Sequence, residues 1–274
     1  MEYPDGFKEL VNLVKKTPVP VVKGKAIWDK FCMVVLIGKG CSEAELIFLT
    51  NMLKKYIDYD YVSNTDSEDW EEEVKKFLSE RLSRITDEDT QAIISDLLKK
   101  IFFVMASLRG GARFFKKKNL FKDIDKLTKT KEKTWELIEE IAEDKDVTGI
   151  KYAKAILWLH YTGRAKDFAP PTRHLKGFLN NDVGPYHEYY DDDMFFMDKA
   201  EEMDKDFSAC LMDVYRAIYF YRTLKSALPR RSGLVPKKLI KFLKKKKTSI
   251  KILSNILSDM EKRERFVKDL YEFL

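Results

Sequence analysis

Thr148 to Asp182, TGIKYAKAILWLHYTGRAKDFAPPTRHLKGFLNND, holds the most chemical pattern in the chain. Gly149 supplies a turn, and apolar side chains then recur every three to four positions, so a helix is expected over 150–162. Lys151 falls in its first turn, where unpaired N–H groups and the positive end of the helix dipole disfavour a cation. Lys154 follows one turn later on the same side. Such a setting favours the neutral amine, the form that attacks carbon. The same spacing also describes a solvated stripe of Lys151, Lys154 and Trp158 on a helix that buries Ile150, Ala153, Ile156, Leu157 and Tyr161.

Twenty residues on, Ala169-Pro170-Pro171-Thr172-Arg173-His174 forms a second element. Two prolines set the approach of the chain, and Thr172 is placed to cap a helix over 172–180 that runs through Leu175, Phe178 and Leu179.

Outward from this segment the chain reads as helical. Ile27, Phe31, Val34, Val35 and Gly38 share one face, as do Leu46, Leu49, Leu53 and Ile57, and period-2 alternation is nearly absent. Helix starts are signalled by Ser42 with Glu45, by Ser67, and by Thr86 with Asp87 and Asp89; stops by Gly110-Gly111, Gly163 and Ser232-Gly233. The expected helices are 7–16, 26–37, 42–57, 68–83, 87–108, 119–127, 131–144, 150–162, 172–180, 192–226 (broken near Asp206), 235–247 and 249–272. No fixed-period repeat is present.

Composition narrows the classes. The chain has 274 residues, with 51 basic and 45 acidic side chains and a net charge of +6. That size supports a substantial core, and the modest positive excess allows a polyanionic partner without demanding one. Cys32, Cys41 and Cys210 lie in apolar runs with no C-x-x-C pair, as expected of thiols in a reducing compartment. Three cysteines cannot hold a four-cysteine iron–sulfur cluster, and three scattered histidines offer no transition-metal spacing. With no apolar run near the ~20 residues of a membrane span and no basic-then-apolar leader, a cytoplasmic protein is expected.

Gly149-Ile150-Lys151-Tyr152-Ala153 and Pro170-Pro171-Thr172-Arg173-His174 together resemble the helix-hairpin-helix (HhH-GPD) DNA glycosylase superfamily. Its members carry a Gly-x-Lys-x-Ala motif at the second hairpin helix and, about twenty residues on, a Pro-Val-Asp-x-His-like segment. The resemblance covers roughly 100–180 and extends more loosely to Phe31–Gly38, which looks like the apolar helix before the family's duplex-probing loop. It implies an all-α, two-lobed fold with a cleft between lobes. The expected organisation is one unit over 1–274, with lobes near 20–115 and 116–185 and with 1–19 and 186–274 completing the second.

What the resemblance implies chemically is excision of a damaged purine, oxidised or alkylated, from double-stranded DNA. Lys151 would be the Schiff-base nucleophile of members that also nick the backbone. The implied protein is a monomer away from membranes, without a cofactor and without an iron–sulfur cluster, and with a monovalent cation allowed at the hairpin. Two departures stand out. Val147 and Thr148 precede a single glycine where the family has Gly-x-Gly, and Thr172 occupies the position of the family's aspartate. A threonine hydroxyl hydrogen-bonds but carries no negative charge to stabilise a cationic sugar.

Three explanations follow. Another carboxylate, Asp167, Asp182, Glu43 or Glu45, takes over; or the substrate is an alkylated purine whose own charge makes it a good leaving group; or the protein is a non-catalytic module that binds DNA or protein. Expected DNA contacts are Lys39 in the probing-loop position, Arg109, Gly110, Gly111 and Arg113 in a basic, aromatic stretch, and Gly149, Lys154, Thr172, Arg173 and His174. Lys244 to Lys247, after Lys237, Lys238 and Lys241, is the densest positive run, read either as a solvated helix end or as a phosphate contact.

Overall fold

The computed structural model describes residues 1–37, 43–230 and 232–274, and among these the chain is all-α, with no strand. In chain order the helices are α1 (Phe7–Lys15), α2 (Lys25–Leu36), α3 (Glu43–Met52), α4 (Tyr59–Asn64), α5 (Ser67–Leu82), α6 (Glu88–Lys117), α7 (Leu120–Leu127) and α8 (Lys131–Glu143). They continue as α9 (Tyr152–Tyr161), α10 (Arg173–Phe178), α11 (Asp193–Asp204), α12 (Leu211–Ala227), α13 (Pro236–Lys245), α14 (Ile250–Leu257) and α15 (Met260–Phe273). Among the described residues no helix is long and apolar enough to cross a membrane.

Two compact units divide the chain, one of residues 22–158 and one of residues 1–21 with 159–274. The division falls within α9, after Trp158, rather than near 115. Residues 116–158 stay with α2 to α6 because α7 rests on α6 and α8 on α7. Phe121 is the anchor, its ring 4.7 Å from Tyr59 and 5.6 Å from Phe115.

In the 22–158 unit the core is a cluster of large rings. Trp28, Phe31, Phe115 and Trp158 are all buried, with neighbouring centroids 5.1–5.8 Å apart in mostly edge-to-face contacts. Both indoles place their N–H: Trp28 Nε1 donates to the Ile57 carbonyl at 2.6 Å and Trp158 Nε1 to that of Ile27 at 3.2 Å. Trp158 is therefore core and does not belong to a solvated stripe.

α6 corrects the expected stop at Gly110-Gly111, since the helix runs through both glycines to Lys117. Each helical glycine costs about 1 kcal/mol relative to alanine. Close packing offsets this, because a Cβ on Gly110 would collide with the Asp146 carbonyl and one on Gly111 with the Phe31 ring.

The other unit is built around α12, which packs on α1, α10 and α11. α1 buries Phe7, Leu10, Val11 and Val14, and Phe7 meets the Phe178 ring at 4.6 Å. The expected helix over 192–226 is broken across 205–210, and that over 249–272 at 258–259, where Asp259 caps α15 by accepting from Lys262 N–H at 3.0 Å. α4 had no sequence expectation. Asp58 starts it with a side-chain cap to the N–H groups of Asp60 and Tyr61.

Candidate functional site at the α8–α9 hairpin

α8 and α9 form a helix-turn-helix unit whose turn spans 144–151. Asp144 opens the turn by accepting from Asp146 N–H through Oδ1 at 2.9 Å, while Val147 and Ile150 plug into the core. Val147 is thus committed to burial, and within the turn only Gly149 adopts a left-handed backbone, at φ +74°. Thr148, Gly149 and Lys151 are exposed.

Lys151 sits one residue before α9, its carbonyl accepting the first helical bond from Ala155 N–H at 2.9 Å. Its ammonium donates to the Ala142 carbonyl, at the end of α8, at 3.3 Å, and has no ion-pair partner among the described residues. Lys154 is different. It is half-buried, its Nζ lies 3.4 Å from the Val35 carbonyl, and burial pulls its pKa down to about 8. Burial thus drives Lys154 toward the neutral amine, while Lys151 is the more accessible of the two.

The stretch 109–113 was expected to meet DNA; in the structure Gly110 and Arg113 meet the hairpin at Asp146, while Gly111 packs on Phe31. Gly110 and Gly111 are buried in α6, with Gly110 against the hairpin's Asp146. Arg109 is tied through Nη2 to the Thr65 carbonyl, and Arg113 pairs with Asp146 at 3.4 Å. Ser107, one turn before Gly110, places its hydroxyl against the Thr148 carbonyl and against that of Phe103. The hairpin is held by a helix interior, and of these four residues only Arg113 remains exposed.

Thr172, Asp167 and Asp182 belong to the other unit. Thr172 precedes α10 without capping it. Its hydroxyl is instead 3.0 Å from Tyr215 Oη on α12. His174 is half-buried with its ring 5.1 Å from that of Tyr219, and burial, aided by nearby Arg173 and Arg222, pulls its pKa down to about 4. Arg173 is exposed.

The two candidate carboxylates diverge. Asp182 is enclosed, its side chain 3% exposed, and held by Arg222 at 2.9 Å, by Lys225 and by the Tyr221 hydroxyl at 3.2 Å. This arrangement is a clamp between the end of α10 and α12, so Asp182 is committed to structure. Asp167 is exposed and makes no hydrogen bond or ion pair among the described residues. Lys39 and the Glu43 side chain lie outside the described residues.

No protein family, curated protein or solved structure matches the chain. Among the described residues no group of three or more His, Cys, Asp or Glu side chains is disposed to hold a metal ion. Sequence reasoning missed Ser107 and Tyr215. Ser107 would have been found by continuing α6 through its glycines, which puts Ser107 and Gly110 on one face; Tyr215 sits on the buried side of α12 and had no local signal.

Proposed function

We propose that the chain is a DNA base-excision glycosylase of the helix-hairpin-helix type that removes an oxidised or alkylated purine, with an abasic-site lyase step through Lys151. The observation carrying this reading is an exposed lysine one residue before α9, two residues after a left-handed glycine in a two-helix hairpin. In this scheme the neutral Lys151 amine attacks the sugar C1′, the C1′–N bond breaks, and the base departs with a proton. The C1′–O4′ bond then breaks as O4′ takes a proton from solvent, leaving an iminium at C1′, and loss of a C2′ proton to solvent expels the 3′ phosphate. Nζ beside the Ala142 carbonyl supports the reading, because that oxygen accepts a hydrogen bond that orients the amine and brings no carboxylate charge to hold a proton on it.

Asp182 is already committed to Arg222 and Lys225, and no carboxylate is assigned to the lysine. Borohydride reduction on duplexes with a damaged purine is the test. Wild type should give a covalent adduct and Lys151→Gln none. A wild type that forms no adduct removes the lyase step; no free base from oxidised or methylated duplex removes the enzyme.

One observation favours a second reading, a non-catalytic DNA- or protein-binding module: the Thr172 hydroxyl is engaged with Tyr215. Duplex affinity with and without an abasic site separates the two, a module showing steep salt dependence and no lesion preference.

A further inference from the structure

Unit 1–21 with 159–274 contains an open cleft of about 380 Å3 between α1 and the end of α13. Its walls include Lys16, Lys244 and Lys247 with Asn12 and Thr248, opposed by a single acid, Glu9. Beyond the cleft the cations continue along α13 through Lys241 and Lys238, and past the turn to Lys251, all exposed. Lys237 and Lys246 are occupied by Asp5 and Asp269. Lys16, Lys241, Lys244, Lys247 and Lys251 carry no ion pair among the described residues.

We propose that this row, from the α1–α13 cleft along the exposed face of α13, is a contact surface for a nucleic-acid phosphate backbone. The inference goes beyond the excision reading and does not depend on it. A helix end attracts cations through its dipole, which accounts for Lys244 and Lys245 in the last turn of α13. It does not account for Lys241 one turn earlier, nor for Lys251 in the first turn of α14, where the dipole opposes a cation.

Lys247 is the most telling. It follows α13 with φ +52°, and the bonds Lys247 N–H to Lys244 O at 3.1 Å and Thr248 N–H to Leu243 O at 2.8 Å make a Schellman ending. Glycine is the favoured residue at that position, since a side chain there is strained. The chain has a lysine where glycine would be easier, and that lysine lines the cleft.

The partner is a polyanion of extended form, since ten residues of α13 span about 15 Å. An anionic membrane surface is disfavoured because Leu239, Phe242 and Leu243 are already buried in the core, leaving α13 only the part-buried Ile240 as an apolar side chain to insert.

The test is fluorescence anisotropy of the full chain on an undamaged duplex of about 20 bp, titrated between about 50 and 200 mM salt. Lys241→Gln, Lys244→Gln and Lys247→Gln combined should weaken binding more than tenfold at the low-salt end. The slope of log affinity against log salt should flatten by about 2.7, or 0.9 per lost phosphate contact. The equal-charge control, Lys122→Gln, Lys126→Gln and Lys129→Gln in the other unit, should leave the slope within about one unit of wild type.

Lys247→Gly alone separates binding from folding, because it should raise the melting temperature while lowering affinity. Equal flattening in the two triple variants, or none in either, overturns the proposal. So does lysine-dependent capture by phosphatidylserine vesicles with duplex binding unchanged. As the duplex carries no lesion, a failure of the excision chemistry leaves this readout intact.

Discussion

His160 lies in the interior with its Nε2–H donating to the Phe168 carbonyl at 2.7 Å, while its Nδ1 is buried without a partner. A proton on Nδ1 would make a buried charge, and burial, outweighing the backbone of Phe168 and Ala165 and the nearby Asp213, which favour the charged ring, pulls the pKa down to about 4. Below pH 6.5 the unfolded imidazole takes a proton that the folded one refuses until about pH 4. Its contribution is therefore whole above pH 6.5 and lost as pH falls toward 4. Urea unfolding of wild type should lose stability across that window, and His160→Gln should reduce the loss by about 1.4 kcal/mol per pH unit. An unchanged slope would mean that the ring is not kept neutral by its surroundings.

Among the elements, α6 sets the hairpin in place, and Gly110 is the point of contact. Glycine to alanine in an open helix interior gains about 1 kcal/mol, but here the new Cβ would strike the Asp146 carbonyl. Gly110→Ala should instead destabilise by about 1–3 kcal/mol, the range for overpacking, and hydrogen exchange over 144–151 should accelerate. A stabilised Gly110→Ala would show that the turn yields freely.

This helix also marks what the sequence could and could not convey. Apolar periodicity made most helices legible to within a residue or two, as at Lys131–Glu143 and Pro236–Lys245. Gly110-Gly111 misled because propensity is local, whereas the partners that favour small residues there, Asp146 and Phe31, are distant in sequence. α4 was silent for the opposite reason, with Val62 its one buried side chain. In the candidate site Lys151 and Gly149 were legible as a local pattern. The commitment of Asp182 to Arg222 and Lys225, and the Thr172–Tyr215 bond, were not, because each joins residues some forty positions apart.

For the whole molecule, the arrangement in which both ends of the chain build one unit makes α1 a structural part of a core formed by residues far along the chain. Four of its side chains, Phe7, Leu10, Val11 and Val14, are at most 1% exposed. Deleting residues 1–17 should remove protection from hydrogen exchange in α12 and α13 and lower the melting temperature by ten degrees or more; burial of that many large side chains stabilises by about 1.5–3 kcal/mol each. Protection retained in α12 would mean that α1 merely decorates a self-sufficient core.

The same arrangement imposes an order on biosynthesis. α1 leaves the ribosome ahead of the 22–158 unit, yet α12, against which its apolar face rests, is made only after that entire unit. At roughly 5–20 residues per second the interval is on the order of ten seconds or more. Throughout it Phe7, Leu10, Val11 and Val14 have no native partner, so the nascent chain presents an amphipathic helix that a chaperone can hold before the C-terminal helices arrive.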